Sequence, residues 1–587
     1  MSQTTPDTSV STPAPRSGHR SLRDRLTVRR PGSFDVLAGG LGLLFILLLG
    51  FPIANLLINV VFADGQFRGG DAIEVLTRDG LATIVADTLI VVATAGSLAV
   101  LLGTVIAWLT ERTDARWGWA SGILPIIPLM LPPIALAIGW YFLAESGTGF
   151  LNAAFRSVFG GSGEGPLNIN SWPGLVWVYT LYLVPYAYLT MSTAFRNLDP
   201  ALEEASKVSG ASVWRTFWRI SIPAVRPAIG SSVLLVAIAG IAVFSIPTII
   251  GTNAKIEVLS VHIVRVIRFS YPPKLFDGAV LSVLMMLIVA AAWLLQRRLS
   301  AKQRFAVIAG KAGGTSVVRL GRLRWVARGF ILFFLALSSV VPLTALIIVS
   351  LQSYWAPTVN FGALGLDNFR QFFSGGSGAI DSLRTSVQLG VVGATVAIAM
   401  SALMMVYVTS RRGGTTGRAI DFSTKAPGAI SHIIIGVAFL LAFSGPPFSL
   451  YGTITILLLA YITMYMPQAS VSTGDAIQRV GGDLTEASLV SGATPWSTFR
   501  RVTLPLIAPG VAAGWCILFV LMVGDLTASA LLSSTSAPVV GFTILEIWEN
   551  GVITQLAALV VVICAVSTVV VGTMLWITGR GSRRTKR

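Results

Sequence analysis

Charge is what this sequence has least of. Only 12% of its 587 residues are Asp, Glu, Lys or Arg, where soluble domains carry about 25%. So few charges cannot clothe a water-soluble globule of this length. Cysteine is nearly absent too. Cys516 and Cys564 sit in apolar runs without partner spacing, which excludes a disulfide framework or a cysteine-ligated metal knuckle. The three histidines, His19, His262 and His432, each lack a second imidazole or carboxylate at ligand spacing, so no metal site is expected. A phosphate-cradling loop needs Gly, four residues, then Gly-Lys-Ser/Thr. The nearest match, Gly310-Lys311, has Phe305 where the first Gly belongs and Ala312 after the Lys. The chain is therefore expected to hydrolyse no ATP itself and to bind no cofactor.

What is present is apolar: 54% hydrophobic residues and a mean hydropathy of +0.75. That excludes disorder, and the absence of a short period excludes a fibre. A polytopic membrane protein remains. Crossing the hydrocarbon core takes about 20 residues. Twelve candidate spans lie near 36–62, 86–109, 121–144, 174–194, 228–250, 278–296, 329–350, 386–408, 427–444, 452–472, 509–532 and 553–577. Pro125, Pro128, Pro132, Pro133 and Pro427 interrupt the third and ninth.

The net charge of +17 would suggest nucleic acid in a soluble protein; here it reads as basic cytoplasmic loops, with the bilayer and no nucleic acid as partner. Residues 1–34 hold six arginines against Asp7 and Asp24, the stretch 297–328 holds nine basic residues and no acid, and 579–587 holds five and no acid. These read as a basic tail, an inter-half linker and a second tail, with both termini cytoplasmic. The permease halves are then 35–296 and 329–578. One loop on the outer side dissents, because 252–276 carries Lys255, Arg265, Arg268 and Lys274.

The chain repeats itself. EASKVSGASVWRTFWRISIPAVRP (204–227) and EASLVSGATPWSTFRRVTLPLIAP (486–509) share 13 of 24 positions at an offset of 282. Loops ordinarily diverge faster than spans, yet here the loop between the fourth and fifth span of each half is best preserved. Residues 201–209 favour a helix with Glu203 and Glu204 in its first turn, and Gly210 ends it. Ser212 can cap a second short helix carrying Trp214, Phe217 and Trp218, which stops near Pro223. Gly492, Thr494, Trp496, Phe499 and Pro505 repeat the plan. Such an elbow could merely turn the chain at the interface, or dock something outside the membrane.

This pattern resembles the EAA loop of ABC importer permeases, and two copies in two six-span halves resemble their fused, ferric-iron type. PLMLPPIALAIGW (128–140), AVFSIPTIIGT (242–252), GDLTASALL (524–532) and FAVIAGK (305–311) extend the likeness across about residues 36–577. The resemblance implies an all-α membrane fold of the type I importer permease kind, with about twelve helices in two homologous halves. It implies coupling loops at 196–226 and 475–508. Glu204, Ala205, Gly210 and Pro223 would dock one copy of a cytoplasmic ABC ATPase, and Glu486, Ala487, Gly492 and Pro505 the other. ATP would be used only by those partners, and an external or periplasmic binding protein would deliver the solute to this bacterial plasma-membrane (inner-membrane) chain. Where the family has Ala, this chain has Ser206 and Ser488. Ferric iron is the expected cargo; related fused permeases carry thiamine or organophosphonate. A twelve-span ion-coupled carrier is the rival from another class. It would mark itself by intramembrane acids, for which Asp525 and Asp87 are the candidates. Tyr141, Tyr186, Phe244 and Asp525 are the candidate pathway-lining residues by span position.

Overall fold

The computed structural model describes residues 32–584 apart from 64–65, 119, 162, 304–316, 375–377, 411–413 and 481–482. The tail 1–31, Gly310-Lys311 with the middle of the expected linker, and the last three residues lie outside the described residues. All twelve apolar runs are mainly helical, those near 228–250 and 509–532 being interrupted at 243–244 and 524–526. Nine are single long helices: α1 (Ser33–Val61), α2 (Leu81–Arg112), α4 (Trp172–Arg196), α6 (Leu275–Gln296), α7 (Leu323–Leu351), α8 (Ala379–Ser410), α10 (Ile454–Val480), α11 (Pro495–Val523) and α12 (Ile553–Met574). Three are bent pairs: α3 (Ala120–Met130 with Pro133–Ala144), α5 (Val213–Ala224 with Arg226–Ala242) and α9 (Thr415–Ala429 with His432–Phe443), folded by 83°, 70° and 107°. The helices of α6 and α12 continue to Gln303 and Arg584, into the stretches expected as linker and tail.

The bends follow from proline and serine chemistry. In α3, Leu131 lies before Pro132 and Pro132 before Pro133; both take extended ψ of 127° and 136°, as a residue preceding proline must. In α9, Ile430 and Ser431 are extended, and the Ser431 hydroxyl accepts the Ile433 N–H to restart the helix. The third and ninth spans are therefore angled pairs of limbs, not straight crossings. Their second limbs, Pro133–Ala144 and His432–Phe443, are each buried at ten of twelve residues.

Three other prolines are absorbed without a stop. A π turn at Phe217–Ser221, Ala336–Val340 or Phe499–Thr503 is followed two residues later by Pro223, Pro342 or Pro505. The wider turn makes room for a ring that would otherwise strike the carbonyl four residues back. The helix expected to stop near Pro223 ends at Ala224 and bends at Val225, whereas in the second copy it continues through Pro505 and Pro509 to Val523.

The halves are interlocked. Helix α1 leaves its own half to pack on α8 and α9, and α7 packs on α3. Gly42 and Gly139 permit this: an added Cβ would come within 2.5 Å of Ile420 and of Pro342 respectively. Trp140 Nε1 donates to the Leu337 carbonyl, 3.1 Å away inside the π turn of α7. Within the first half the closest approach is α2 on α4. There a Cβ on Gly103 would meet Ala187 Cβ at 2.7 Å and the Tyr188 backbone nitrogen at 2.9 Å. Gly103→Ala is expected to destabilise the protein by about 1–3 kcal/mol, whereas Gly39→Ala, with nothing within 4 Å, should be silent. Thermal unfolding of the detergent-solubilised protein compares them; equal midpoints would remove Gly103 from the packing argument.

Candidate functional site

The two repeated loops fold into matching elbows. The first begins at Asp199, whose carboxylate accepts the Ala201 N–H at 2.9 Å ahead of helix Pro200–Val208. Gly210 ends that helix with φ of +78°. Its N–H bonds the Lys207 carbonyl and the Ala211 N–H bonds the Ser206 carbonyl, a paired closure that needs a left-handed residue. Gly492, at φ +86°, repeats it with Leu489 and Ser488 after helix Asp483–Val490. Ser212 and Thr494 cap the second limbs, accepting the Arg215 and Ser497 N–H groups.

The two serines that depart from the family pattern have a shared task. Ser206 Oγ lies 2.8 Å from Thr216 Oγ1, and Ser488 Oγ lies 2.9 Å from Thr498 Oγ1. Each hydrogen bond clasps the two limbs of its elbow together.

Both elbow helices expose apolar side chains, and the first is amphipathic with its polar side turned inward. In the first, Glu203 is buried and Ser206 half-buried, while Leu202, Ala205 and Val208 face out with Trp214 beyond them. In the second, Leu484, Ala487, Leu489, Val490 and Trp496 are exposed. Val208 and Val490 are 90% and 88% exposed. Glu204 and Glu486 are exposed on the same helices. The sequence reading missed Glu203 and its partner Arg112; the inward polar, outward apolar phase of 202–208 was the signal that could have found the first.

Between the halves, helices α5 and α11 stop at the same register. Val243 and Phe244 in one half, and Asp525 and Leu526 in the other, are non-helical before the chain turns into a short helix. Asp525 is buried and fully engaged. Its Oδ2 accepts the Ala528 N–H at 2.8 Å and its Oδ1 accepts the Tyr465 hydroxyl at 2.9 Å. It thereby starts helix Thr527–Leu532. Tyr465 packs edge-on against His432, 5.1 Å between centroids, and Tyr461 bonds Ser529. Tyr186 lies one turn from Tyr182 on α4, hydroxyls 3.1 Å apart.

Phe244 and Tyr141 both lie by Trp548 of the second half. Phe244, Thr248, Arg265 and Phe269 from the first half enclose a cavity of about 230 Å³ with Trp548 and Glu549 from the second. Tyr141 stacks edge-on against Trp548, 5.0 Å away, and against Trp355. The basic residues that dissented in the charge pattern have local uses here. Arg265 and His262 both pair with Glu257 at 2.9 Å, and Arg268 lies over the Phe542 ring and donates to the Ala530 carbonyl of the other half. Partial burial raises the Glu257 carboxyl, but the His262 hydrogen bond and the Arg265 charge outweigh it, so it is held below the usual range. The helices Leu259–Arg268 and Val540–Glu549 that line this cavity each start on a borrowed hydroxyl. Thr88 of α2 accepts the Leu259 N–H, and Ser386 of α8 accepts the Val540 N–H, both at 2.8 Å. Among the described residues no three His, Cys, Asp or Glu side chains are placed to hold a metal ion.

The elbow clasp is open to measurement. A double-mutant cycle with Ser488→Ala and Thr498→Val is expected to give a coupling of about 1 kcal/mol. Amide exchange in 484–490 should rise about fivefold; unchanged exchange would mean that the clasp holds nothing.

The sequence matches the description "Binding-protein-dependent transport system inner membrane component" over residues 99–305 and again over 394–586. It is 23% identical over 81% of its length to a putative ferric transport system permease protein of Haemophilus influenzae, of which 74% is covered. It is 24% identical over 88% of its length to an Fe(3+)-transport system permease protein of the same organism, with 93% covered. A solved bacterial ABC transporter involved in the import of alginate aligns with 45% of this chain and 98% of that one, at 18% identity and a TM-score of 0.36. The two family matches cover both halves of a chain built from apolar helices. The chain thus belongs to the binding-protein-dependent transport system inner membrane components, as a fused permease of two such domains and a multi-pass protein of the plasma membrane.

Proposed function

We propose that this chain is the membrane-spanning permease of an ABC importer for ferric iron. Two ferric permeases that align over 81% and 88% of it carry the cargo assignment. The elbow end is the cytoplasmic end, and each elbow receives one copy of a separate ATPase subunit. The outward apolar faces, Leu202, Ala205 and Val208 in one elbow and Leu484, Ala487 and Val490 in the other, supply the contact. Glu204 and Glu486 add charge at its edge, and Gly210 and Gly492 set the angle at which each second limb leaves. Pro223 and Pro505 shape the π turns that join the elbows to α5 and α11. ATP is bound and hydrolysed by those partners, and this chain requires no cofactor of its own.

Closure of the ATPase pair displaces the elbows, and the interlocked halves rock about the seam between them, as in other rigid-body transport cycles. The seam carries the pathway. Phe244 and Asp525 stand at its matching helix breaks, with Tyr141 against Trp355 and Trp548 and Tyr186 on α4. The aromatic contact of Tyr141 with Trp355 and Trp548 spans the two halves and so must part when they open there. A binding protein outside the membrane selects the iron and delivers it there. Asp525 acts as a helix start within the seam; its carboxylate is engaged by Tyr465 and backbone N–H groups, an arrangement suited to holding a break in place rather than relaying protons.

Two measurements check this reading. Gly210→Pro with Gly492→Pro should abolish uptake and ATPase co-purification while leaving membrane insertion intact; transport that persists would remove the elbows from coupling. In vesicles containing the assembled transporter, an iron-loaded binding protein should stimulate ATP hydrolysis, and uptake should survive collapse of the proton gradient. No response to the iron-loaded form would sink the cargo assignment, and loss of uptake on collapse of the gradient would favour the ion-coupled carrier.

A further inference from the structure

A short helix in the loop after α3, Phe150–Phe159, spends its polar side chains on its own loop. Asn152 is buried, its Nδ2 donating to the Glu145 and Leu167 carbonyls at 2.7 and 2.8 Å and its Oδ1 accepting the Leu167 N–H at 3.0 Å. Arg156 donates to the Gly147 and Gly163 carbonyls at 2.8 and 3.1 Å. The opposite face is bare and apolar. Leu151, Phe155 and Val158, at the spacing of one helix face, are exposed together with Phe159, and Val158 and Phe159 are each 73% exposed. A helix with its polar groups committed and an apolar face outward is suited to a membrane interface rather than to water.

Beside this helix runs a groove whose walls come from both halves. Phe150, Ala153, Ala154 and Ser157 line it from the first half. Val341, Thr344, Ala345 and Ile348 of α7 line it from the second. Each set has the i, i+3, i+4, i+7 spacing of a single helix stripe, as two helices packed face to face would show. The central side chains are small, however, and a space of about 500 Å³ is left between the stripes, with Leu143 of α3 also on its wall. Ala154, Ser157 and Thr344 are exposed, so the groove opens to the surface. The Ser157 and Thr344 hydroxyls donate to the Ala154 and Val340 carbonyls of their own helices, both at 2.8 Å. Their protons are thus committed, and an ordered water would lack the two to four polar partners it needs.

The groove is continuous with apolar surface of a membrane-spanning helix. On α7, Val340 and Ile347 next to the stripe are 54% and 41% exposed. From Val341 to Leu351, where that helix ends, the axis covers about 15 Å, the hydrocarbon depth of one leaflet. We propose that one acyl chain of a phospholipid lies in this groove and completes the packing between the two halves. Packed interiors leave few voids larger than a water molecule, and the bilayer offers methylene chains along the length of the space. Because its walls belong to opposite halves, the acyl chain is part of a contact that must readjust whenever one half moves against the other. The proposal stands on the membrane placement of the chain and is independent of the cargo.

The test uses the full chain in vesicles containing a phospholipid with a diazirine midway along one acyl chain. After illumination, peptide mass spectrometry should find the lipid attached within 150–157 and 341–348. Ala154→Trp fills the groove and should lower that attachment about fivefold, while attachment at Phe333, exposed elsewhere on α7, stays unchanged. Ser157→Trp is a second filling variant should the first fail to accumulate, and attachment in the unaltered chain is read without either. An unlabelled groove overturns the proposal. So does labelling that neither tryptophan reduces, since that is lipid brushing the surface rather than a seated chain. Other occupants show themselves at Ser157→Cys in a chain with Cys516 and Cys564 replaced by alanine. Broadening of a nitroxide there by a water-soluble nickel chelate would mean that water fills the groove, and disulfide cross-linking between copies would mean that a second copy covers it. Either result overturns the proposal.

Discussion

A hydrocarbon slab offers no water to hydrogen-bond a free N–H or C=O, and each one left open costs several kcal/mol. This chain nevertheless breaks its helices repeatedly inside that slab, and much of its architecture consists of the means by which the breaks are paid for. Ser431 restarts α9, Asp525 starts the short helix after α11, and π turns accommodate Pro223, Pro342 and Pro505. Thr88 and Ser386 lend hydroxyls across helices to start two short helices.

The seam is stable because the halves exchange their first helices. With α1 seated on α8 and α9, and α7 seated on α3, neither half can move as an isolated bundle. Rocking must instead be absorbed at contacts that can re-form, such as Tyr141 against Trp548 or Arg268 over Phe542. Fusion into one chain fits this geometry, since the segment after the linker docks beside Arg112 before entering α7.

Duplication supplied two elbows built on one internal plan. The clasp between limbs survives in both, as Ser206–Thr216 and Ser488–Thr498. The first elbow is also tied to its span by a buried ion pair and by Trp108 on Phe217, and at the second Phe34 from the opposite half packs on Phe499. An offset of 282 preserved what each elbow needs internally, while its surroundings were free to change.

Much of this was legible in the residues alone. Apolar runs of span length declared the membrane fold, because crossing hydrocarbon demands them whatever the neighbours. The repeated Glu-Ala-Ser, Gly and Pro spacing declared the elbows, because glycine closure and hydroxyl caps are local events decided within a few residues. Locality also explains what stayed hidden. The stop expected near Pro223 is there, at Ala224, but its counterpart at Pro505 is not, because the helix of the second copy runs on through Pro505 and Pro509. Glu204 was singled out and its neighbour Glu203 was not, because which of two adjacent acids turns inward depends on Arg112, 91 residues away in sequence. The bends of α3 and α9 were foreshadowed by proline, but their angles, the exchange of α1 and α7 and the uses of Arg265 and Arg268 were not. Sequence by itself determined the number of apolar runs, the duplication and the elbows, since short-range chemistry settles those. Only the tertiary structure decided which polar groups are paired across helices, since those choices are made where distant segments share a dry interior.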